Sequence, residues 1–577
     1  MSMLLSFRSI AFPSSSLAPR VLVSLGLLAA GAGLASAQTV IPSDAKPTCV
    51  VTPVEFNGWF TSGSVTPNGG VDPADSVTFP NIPNCSFYKW SEQMFLWLTS
   101  PAPSKYGQGS HVFNSPVFYD VTPDQNGKRT LIANTAGRVR NFGISISELG
   151  PKGKPVVFDN TGKMFNIIRP ELGPNKKPII LNRAGQPIEI ERSAMESGRA
   201  VLLDKSGTTI QPKVTRGLVQ MRAKDGKLLD LRFSKTLLNG KPFLIDRFGN
   251  AVPTEQGQAD GSVLMAQNGS LVYYALQVND VYAYFLTGQK DNKIAATTFP
   301  TTPAALNSIE AFALMSSPPK AFPDANALAI ELKSAWIEAT GLDTSKYVTV
   351  TATVPTYNTS NPLQWVATGT RQATLAMVGI HVVGSAAGHP EMIWATFEHV
   401  DNSRSPAYSY TNASNATVNV PQNNGGSWTF STTPPSANPN VATISNAPPN
   451  ITAANPPTPI GPSDVMRVSP WGMPGNATAS NTDIVSINSS VLTKLAAGDV
   501  RKNYIMTGAT WTIGGANPNS GTQVGTKMLA NSTMETFVQP SNCFDCHQGQ
   551  GALNMLGTPG TDQGLSHVYG LITPLFP

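Results

Sequence analysis

Strict alternation of apolar and polar residues is clearest from Tyr347 to Val354. Val348, Val350, Ala352 and Val354 fall on one face, and Thr349, Thr351 and Thr353 on the other, a period of two that predicts a half-buried strand. Leu375–Val383 and Met392–Val400 flank Gly384-Ser385-Ala386-Ala387-Gly388 and predict an antiparallel pair. In the second run Ile393, Ala395, Phe397 and His399 share one face, and Trp394, Thr396 and Glu398 the other. Leu271–Asn279 and Asn503–Trp511 read as further strands. Helical spacing is rarer. Phe87, Trp90, Met94 and Trp97 recur at helical intervals behind Ser86, the expected N-cap, and Pro101 and Pro103 close the run. This aromatic stripe is expected in the core, with contact to a cofactor face as the alternative. A second helix is expected from the Asp324 cap to about Thr340, with Leu328, Leu332, Ala335 and Ala339 as its stripe and Gly341 as its stop. Asp483–Leu495 and Ser532–Val538 are also expected to be helical.

Residues 131–275 carry a repeat. Short apolar runs each end in a turn closed by glycine, as in Val156–Gly162, Ile179–Gly185 and Val201–Gly207, with further units ending at Gly137, Gly226, Gly249 and Gly269. The glycines are 19 to 25 positions apart. Glycine at a hairpin turn supplies positive φ, and flanking Val, Ile and Leu favour strands, so stacked β-hairpins or a short β-solenoid are expected.

The pattern predicts a mainly β protein with some α (α+β): a β-rich core, an inserted hairpin- or solenoid-like repeat block and a C-terminal segment. The expected divisions are 38–130, the insertion 131–270, 271–401, a Pro-, Asn- and Ser-rich loop 402–463 with no visible chemistry, and 464–577. With 577 residues, more than one core is expected. Charged residues are 13% of the chain, with 49 Gly and 48 Pro, which suits a loop-rich β protein. Net charge is +5, too little for this length to argue for nucleic acid. It is unevenly spread: Arg138–Arg247 holds 21 Lys and Arg against 10 Asp and Glu. Either these are solvated strand faces, or residues 131–270 meet an anionic partner or surface.

Residues 1–37 read as an export signal: Arg8 and Arg20, the apolar run Val21–Leu34 and the small-residue site Ala35-Ser36-Ala37. No later stretch reaches the roughly 20 apolar residues of a spanning helix, so no transmembrane span is expected. In an oxidising compartment Cys49 and Cys85 are expected to pair, the alternative being two unbridged buried thiols. Closing that loop contributes about 3–4 kcal/mol in the chain-entropy model.

The remaining two of the 4 cysteines stand in Cys543-Phe544-Asp545-Cys546-His547. C-x-x-C-H is the pattern for covalent haem attachment. Two thiols add to the vinyl groups of one haem edge, which sets the adjacent imidazole beneath the iron as an axial ligand. A zinc half-site would need a second nearby pair, and a thioredoxin-like pair would not need the histidine. His567 is the expected distal ligand and Met555 the nearest local alternative. His381, His389 and His399, half of the 6 histidines, could reach a haem only through tertiary contact. Their readings are hydrogen-bonded structural groups, a haem-pocket lining or a second metal site.

Ile330–Trp336, His389–His399 and Cys543–His547 together resemble large exported bacterial proteins described as cytochrome c family proteins. The resemblance covers residues 85–125 and 270–577, leaves the repeat block without a counterpart, and implies one covalent haem c per chain. The expected role is a periplasmic, or otherwise exported, mono-haem electron carrier serving a redox partner protein. The alternatives are a peroxide- or oxygen-using haem oxidoreductase with an open iron site, and an exported binding protein whose basic repeat block recognises a partner. No hydrolase signature is present.

Overall fold

The computed structural model describes residues 41–576 apart from 81–83, 124–127, 145–155, 159–163, 169, 172, 174–176, 224–226, 239–240, 253–261, 437–443, 446–449, 454–456, 474–476, 520, 537–538, 540–541, 548–564 and 567. The expected export segment 1–37, Met555 and His567 lie outside the described residues. Among those described, no helix is long and apolar enough to cross a membrane.

The chain is β-rich and built on a 13-stranded sheet. Its principal strands are β1 (Phe118–Val121), β2 (Leu131–Ala133), β3 (Tyr273–Asn279), β4 (Ile330–Glu338), β5 (Thr349–Asn358), β6 (Gln364–Ala386), β7 (His389–His399), β8 (Tyr504–Thr512) and β9 (Gln523–Gly525). An antiparallel path runs β9-β8-β7-β6-β4-β3-β1-β2, and β5 pairs with the outer part of β6. The expected pair around Gly384–Gly388 is β6 and β7, turning at Ala387-Gly388 with Gly388 at φ +78°. The expected alternation in β5 holds, with Val350, Ala352 and Val354 buried and Thr351 exposed.

Helix α1 (Cys85–Leu98) packs on one face of this sheet, where Phe87 stacks on Trp511 at 3.8 Å and Phe95 on Phe397 at 4.3 Å. Its aromatic stripe is therefore core. Burying each such ring stabilises by about 1.5–3 kcal/mol. The helix begins one residue before the expected cap: Cys85 is helical, and Asn84 stands at the N-cap without a side-chain cap bond. Cys49 and Cys85 form a disulfide, Cα atoms 5.3 Å apart, that ties the segment around Cys49 to α1. Helices α2 (Asp280–Lys290) and α3 (Pro303–Leu314) pack with the opposite face of β6 and β7, and α4 (Thr478–Leu492) lies against α1 and β8.

Within residues 179–252 seven strands form a separate antiparallel sheet, and Arg192–Glu196 pairs with Arg199–Leu203 as a two-stranded sheet of its own. The glycine turns here are hairpin turns as expected, with Gly185 and Gly249 joining strands of the seven-stranded sheet and Gly207 lying between Leu203 and its bridge partner Thr209, all at φ near +80°. The strands lie side by side rather than stacking as a solenoid.

Three expectations are corrected. The helix placed after Asp324 is a single 3-10 turn, Ala325–Ala327, followed by strand β4. Its apolar positions suit either period, and pairing on both edges, with β3 and β6, decides for strand. The loop 402–463 contains the hairpin Tyr408–Thr411/Thr417–Val420 and buries Trp428 and Phe430, and its Arg404 pairs at 2.7 Å with Asp464, the residue just beyond it. Polar residues that look loop-like in composition are satisfied inside: Ser431 Oγ accepts from the Arg404 amide and Asp464 Oδ1 from the Thr432 amide. Residues 532–536, expected to be helical, make successive turns.

Candidate functional site

The face of β7 that carries Trp394, Thr396 and Glu398 receives the C-terminal segment. A period of two aims alternate side chains the same way, and each of these three meets a different part of it. Glu398 accepts from Ser532 N (2.6 Å) and Ser532 Oγ (2.7 Å), and from Arg467 Nε at 3.3 Å, with both charged side chains wholly buried. Thr396 Oγ1 donates to the Leu529 carbonyl at 3.2 Å and lies 2.7 Å from His381 Nδ1. His381 Nε2 donates to Glu535 Oε2 at 2.9 Å, and Lys333 Nζ meets Glu535 Oε1 at 2.5 Å. Burial pushes the Glu535 carboxyl up, but the charges of Lys333 and then His381 outweigh it and hold it well below the usual range.

Trp394 meets the Cys-x-x-Cys-His stretch. Cys543 and Cys546 are the first and last residues of one helical turn, α5 (Cys543–Cys546), and His547 N donates to Cys543 O at 2.9 Å. Phe544, fully buried, anchors the turn in an apolar cluster with Val383, Met392, Leu565 and Tyr569. The His547 ring lies 4.3 Å from the Trp394 ring, and its Nδ1 is 2.9 Å from the Leu565 carbonyl. A carbonyl oxygen only accepts, so Nδ1 carries the proton, and in the neutral ring the lone pair is on Nε2. Beside Leu565, Ser566 Oγ and Tyr282 OH are 2.9 Å apart. Glu331 adjoins them; burial raises its pKa to about 7 against its bonds to Ser566 and Tyr282.

No family model, curated protein or solved structure matches the chain.

The structure does not gather the three central histidines. His381 serves Glu535. His389 Nδ1 donates to Glu391 Oε1 at 2.7 Å, with the same oxygen accepting from Thr512 N at 3.0 Å, deep among Phe79 and Phe87. His399 stacks on Tyr347 at 3.9 Å and lies 3.1 Å from the Lys346 carbonyl, with burial lowering its pKa to about 3. The second-metal reading is thus not supported by their placement, and among the described residues no group of three or more His, Cys, Asp or Glu converges.

The residues at α5 do fit a haem c: two cysteines one helical turn apart, and an imidazole whose Nδ1–H is already engaged by a backbone carbonyl, which fixes ring and tautomer for an Nε2 ligand. Trp394 and the Leu565 carbonyl escaped sequence reasoning as site groups. For Trp394 a signal existed, since it shares its face with Thr396 and Glu398. For a carbonyl 18 positions beyond His547 there was none.

Proposed function

We propose that this chain is an exported mono-haem c-type cytochrome that transfers single electrons, with haem joined to Cys543 and Cys546 and His547 as proximal ligand. The observation that carries the reading is the His547 Nδ1 contact to the Leu565 carbonyl within a Cys-x-x-Cys-His turn. When bound, the haem would supply a one-electron iron centre. Phe544 fixes the turn in the apolar cluster, Trp394 walls the imidazole from one side, and Leu565 sets the His547 ring. The engagement of His381, His389 and His399 elsewhere favours electron transfer over peroxide or oxygen chemistry, which would need an acid–base group beside the iron. His567 is the proposed distal ligand, with Met555 as the alternative. The reading includes the likeness to cytochrome c family proteins, an unidentified redox partner and an anionic contact for residues 131–270.

The test is the pyridine haemochrome of protein made in a host competent for cytochrome maturation, denatured and washed with acid acetone. One haem per chain is expected, lost in the Cys543→Ala/Cys546→Ala double variant. Washed parent protein without a haemochrome band overturns the reading. His567→Ala should abolish the parent's six-coordinate spectrum, whereas Met555→Ala should keep it.

A further inference from the structure

Beyond Leu565 the chain returns across α2. Lys290, the last residue of that helix, donates from Nζ to the carbonyls of Tyr569 (2.7 Å), Gly570 (3.0 Å) and Ile572. An ammonium has three donors and no acceptor, so one turn of the tail occupies all of them. The cation also sits at a helix C-terminus, where the dipole favours it, and 5.6 Å from the centre of the Tyr569 ring. Burial draws the Lys290 pKa down to about 8, so the three-donor form persists at neutral pH.

The same stretch is held from other sides. Arg129 N donates to Leu571 O at 2.9 Å, Thr573 N to Arg129 O at 2.8 Å, and Leu575 N to Thr287 Oγ1 at 3.0 Å. The Tyr569 ring packs among Tyr282, Phe285 and Phe299. At its near end this strap presents the Leu565 carbonyl to His547 Nδ1.

We propose that Lys290 is a positioning residue for His547: by pinning the turn at 568–572 it holds the Leu565 carbonyl against the imidazole and so sets the strength of the axial ligand. This role rests on the haem reading. A carbonyl accepting from Nδ1–H raises the basicity of Nε2, and a more basic ligand favours ferric iron. A loosened strap therefore moves the midpoint potential upward.

The experiment compares full-length holoprotein with Lys290→Met. Both should carry haem, because the two cysteines are untouched. The variant's one-electron equilibrium constant is expected to shift about three- to tenfold toward reduction, where tenfold corresponds to about 59 mV. Cleavage by chymotrypsin after Tyr569 should quicken about tenfold or more, and Lys290→Arg should recover part of both effects. Tyr282→Phe, which removes the Ser566 contact but leaves the Lys290 latch, provides a second route and should shift the potential in the same direction. A Lys290→Met protein with a loosened tail and the parent's potential overturns the proposal, as does one whose tail is as resistant as the parent's. Parent protein without haem defeats the underlying reading before any variant is made, and the positioning role falls with it.

Discussion

The two sheets of this protein are held by different kinds of interaction. In the 13-stranded sheet, strands such as β7 are buried on both faces, and their polar side chains are satisfied by distant chain: Glu398 by Ser532, 134 positions away, and His381 of β6 by Glu535, 154 positions away. In the seven-stranded sheet the strands all lie within residues 179–252, the core beneath them is small, and order comes from local turns, as it does in the turn that follows the neighbouring two-stranded hairpin Arg192–Leu203. Three of those turns share one design. Asn182, Asp204 and Asp246 each accept through Oδ1 from the amides two and four positions on, at 2.8 to 3.0 Å, and a glycine at φ near +80° follows three positions later. Long-range burial thus builds the platform for the C-terminal segment, while local chemistry builds the turns around the smaller sheet.

The sharpest way to break the first kind is Arg467→Ala. It leaves the Glu398 carboxylate wholly buried without its cation, and removing one partner of such a pair costs about 3–5 kcal/mol. Urea denaturation followed by tryptophan fluorescence should show that loss. Amide exchange in residues 179–252 should stay at the parent's level. Faster exchange there, matching the main sheet, would mean the two sheets unfold as one.

Acidity separates the sheets next. Glu92 of α1 is buried, its Oε1 has no hydrogen-bond partner among the described residues, and burial raises its pKa to about 8 from 4.5. The folded state thus holds this proton more tightly than the unfolded chain. Its contribution is complete below about pH 4.5 and is lost as pH rises through about 8. Glu92→Gln should flatten the stability–pH curve over that window, by an amount on the order of a few kcal/mol. In the turn after Leu203, beside the small sheet, the sign reverses. Bonds to the Ser206 side chain and the Thr208 amide lower the pKa of Asp204. Its contribution is present above the unfolded pKa and disappears on acidification. A Glu92→Gln curve parallel to the parent's would remove burial of this carboxyl as the cause.

This division also explains what was legible in the sequence. The hairpin turns were readable because each is complete within five residues, from Asn182 to Gln186 for example. The faces of β7 were readable from alternation, down to which residues accompany Trp394. The strand Ile330–Glu338 was not, since its alternation lasts only from Ile330 to Lys333; Ser334–Ile337 are buried on both faces, and the apolar residues fall at spacings that also suit a helix. Nor was the packing of residues 402–465, where Arg404, Ser431 and Asp464 find one another only in three dimensions. The Cys-x-x-Cys-His stretch was legible as chemistry, but its setting was not. Trp394, Leu565 and Lys290 come from β7, the tail and α2, and no local pattern links them.

The finest test concerns the turns themselves. If the shared design needs an acceptor rather than a charge, Asn and Asp should be interchangeable where no further contact depends on the difference. Asn182 offers such a site: its Oδ1 takes the amides of Ala184 and Gln186 at 3.0 and 2.9 Å, while among the described residues its Nδ2 makes only a long 3.4 Å contact to Gln186. Asn182→Asp keeps the acceptor and should change stability by less than about 0.5 kcal/mol. Asn182→Ala strands two turn amides and should cost about 1 kcal/mol. That cost should appear as faster exchange in strands Ile179–Leu181 and Pro187–Glu189 only. A loss of equal size in Asn182→Asp would show that charge matters at the turn after all, and would tie these tips to the electrostatics of this basic stretch rather than to its backbone.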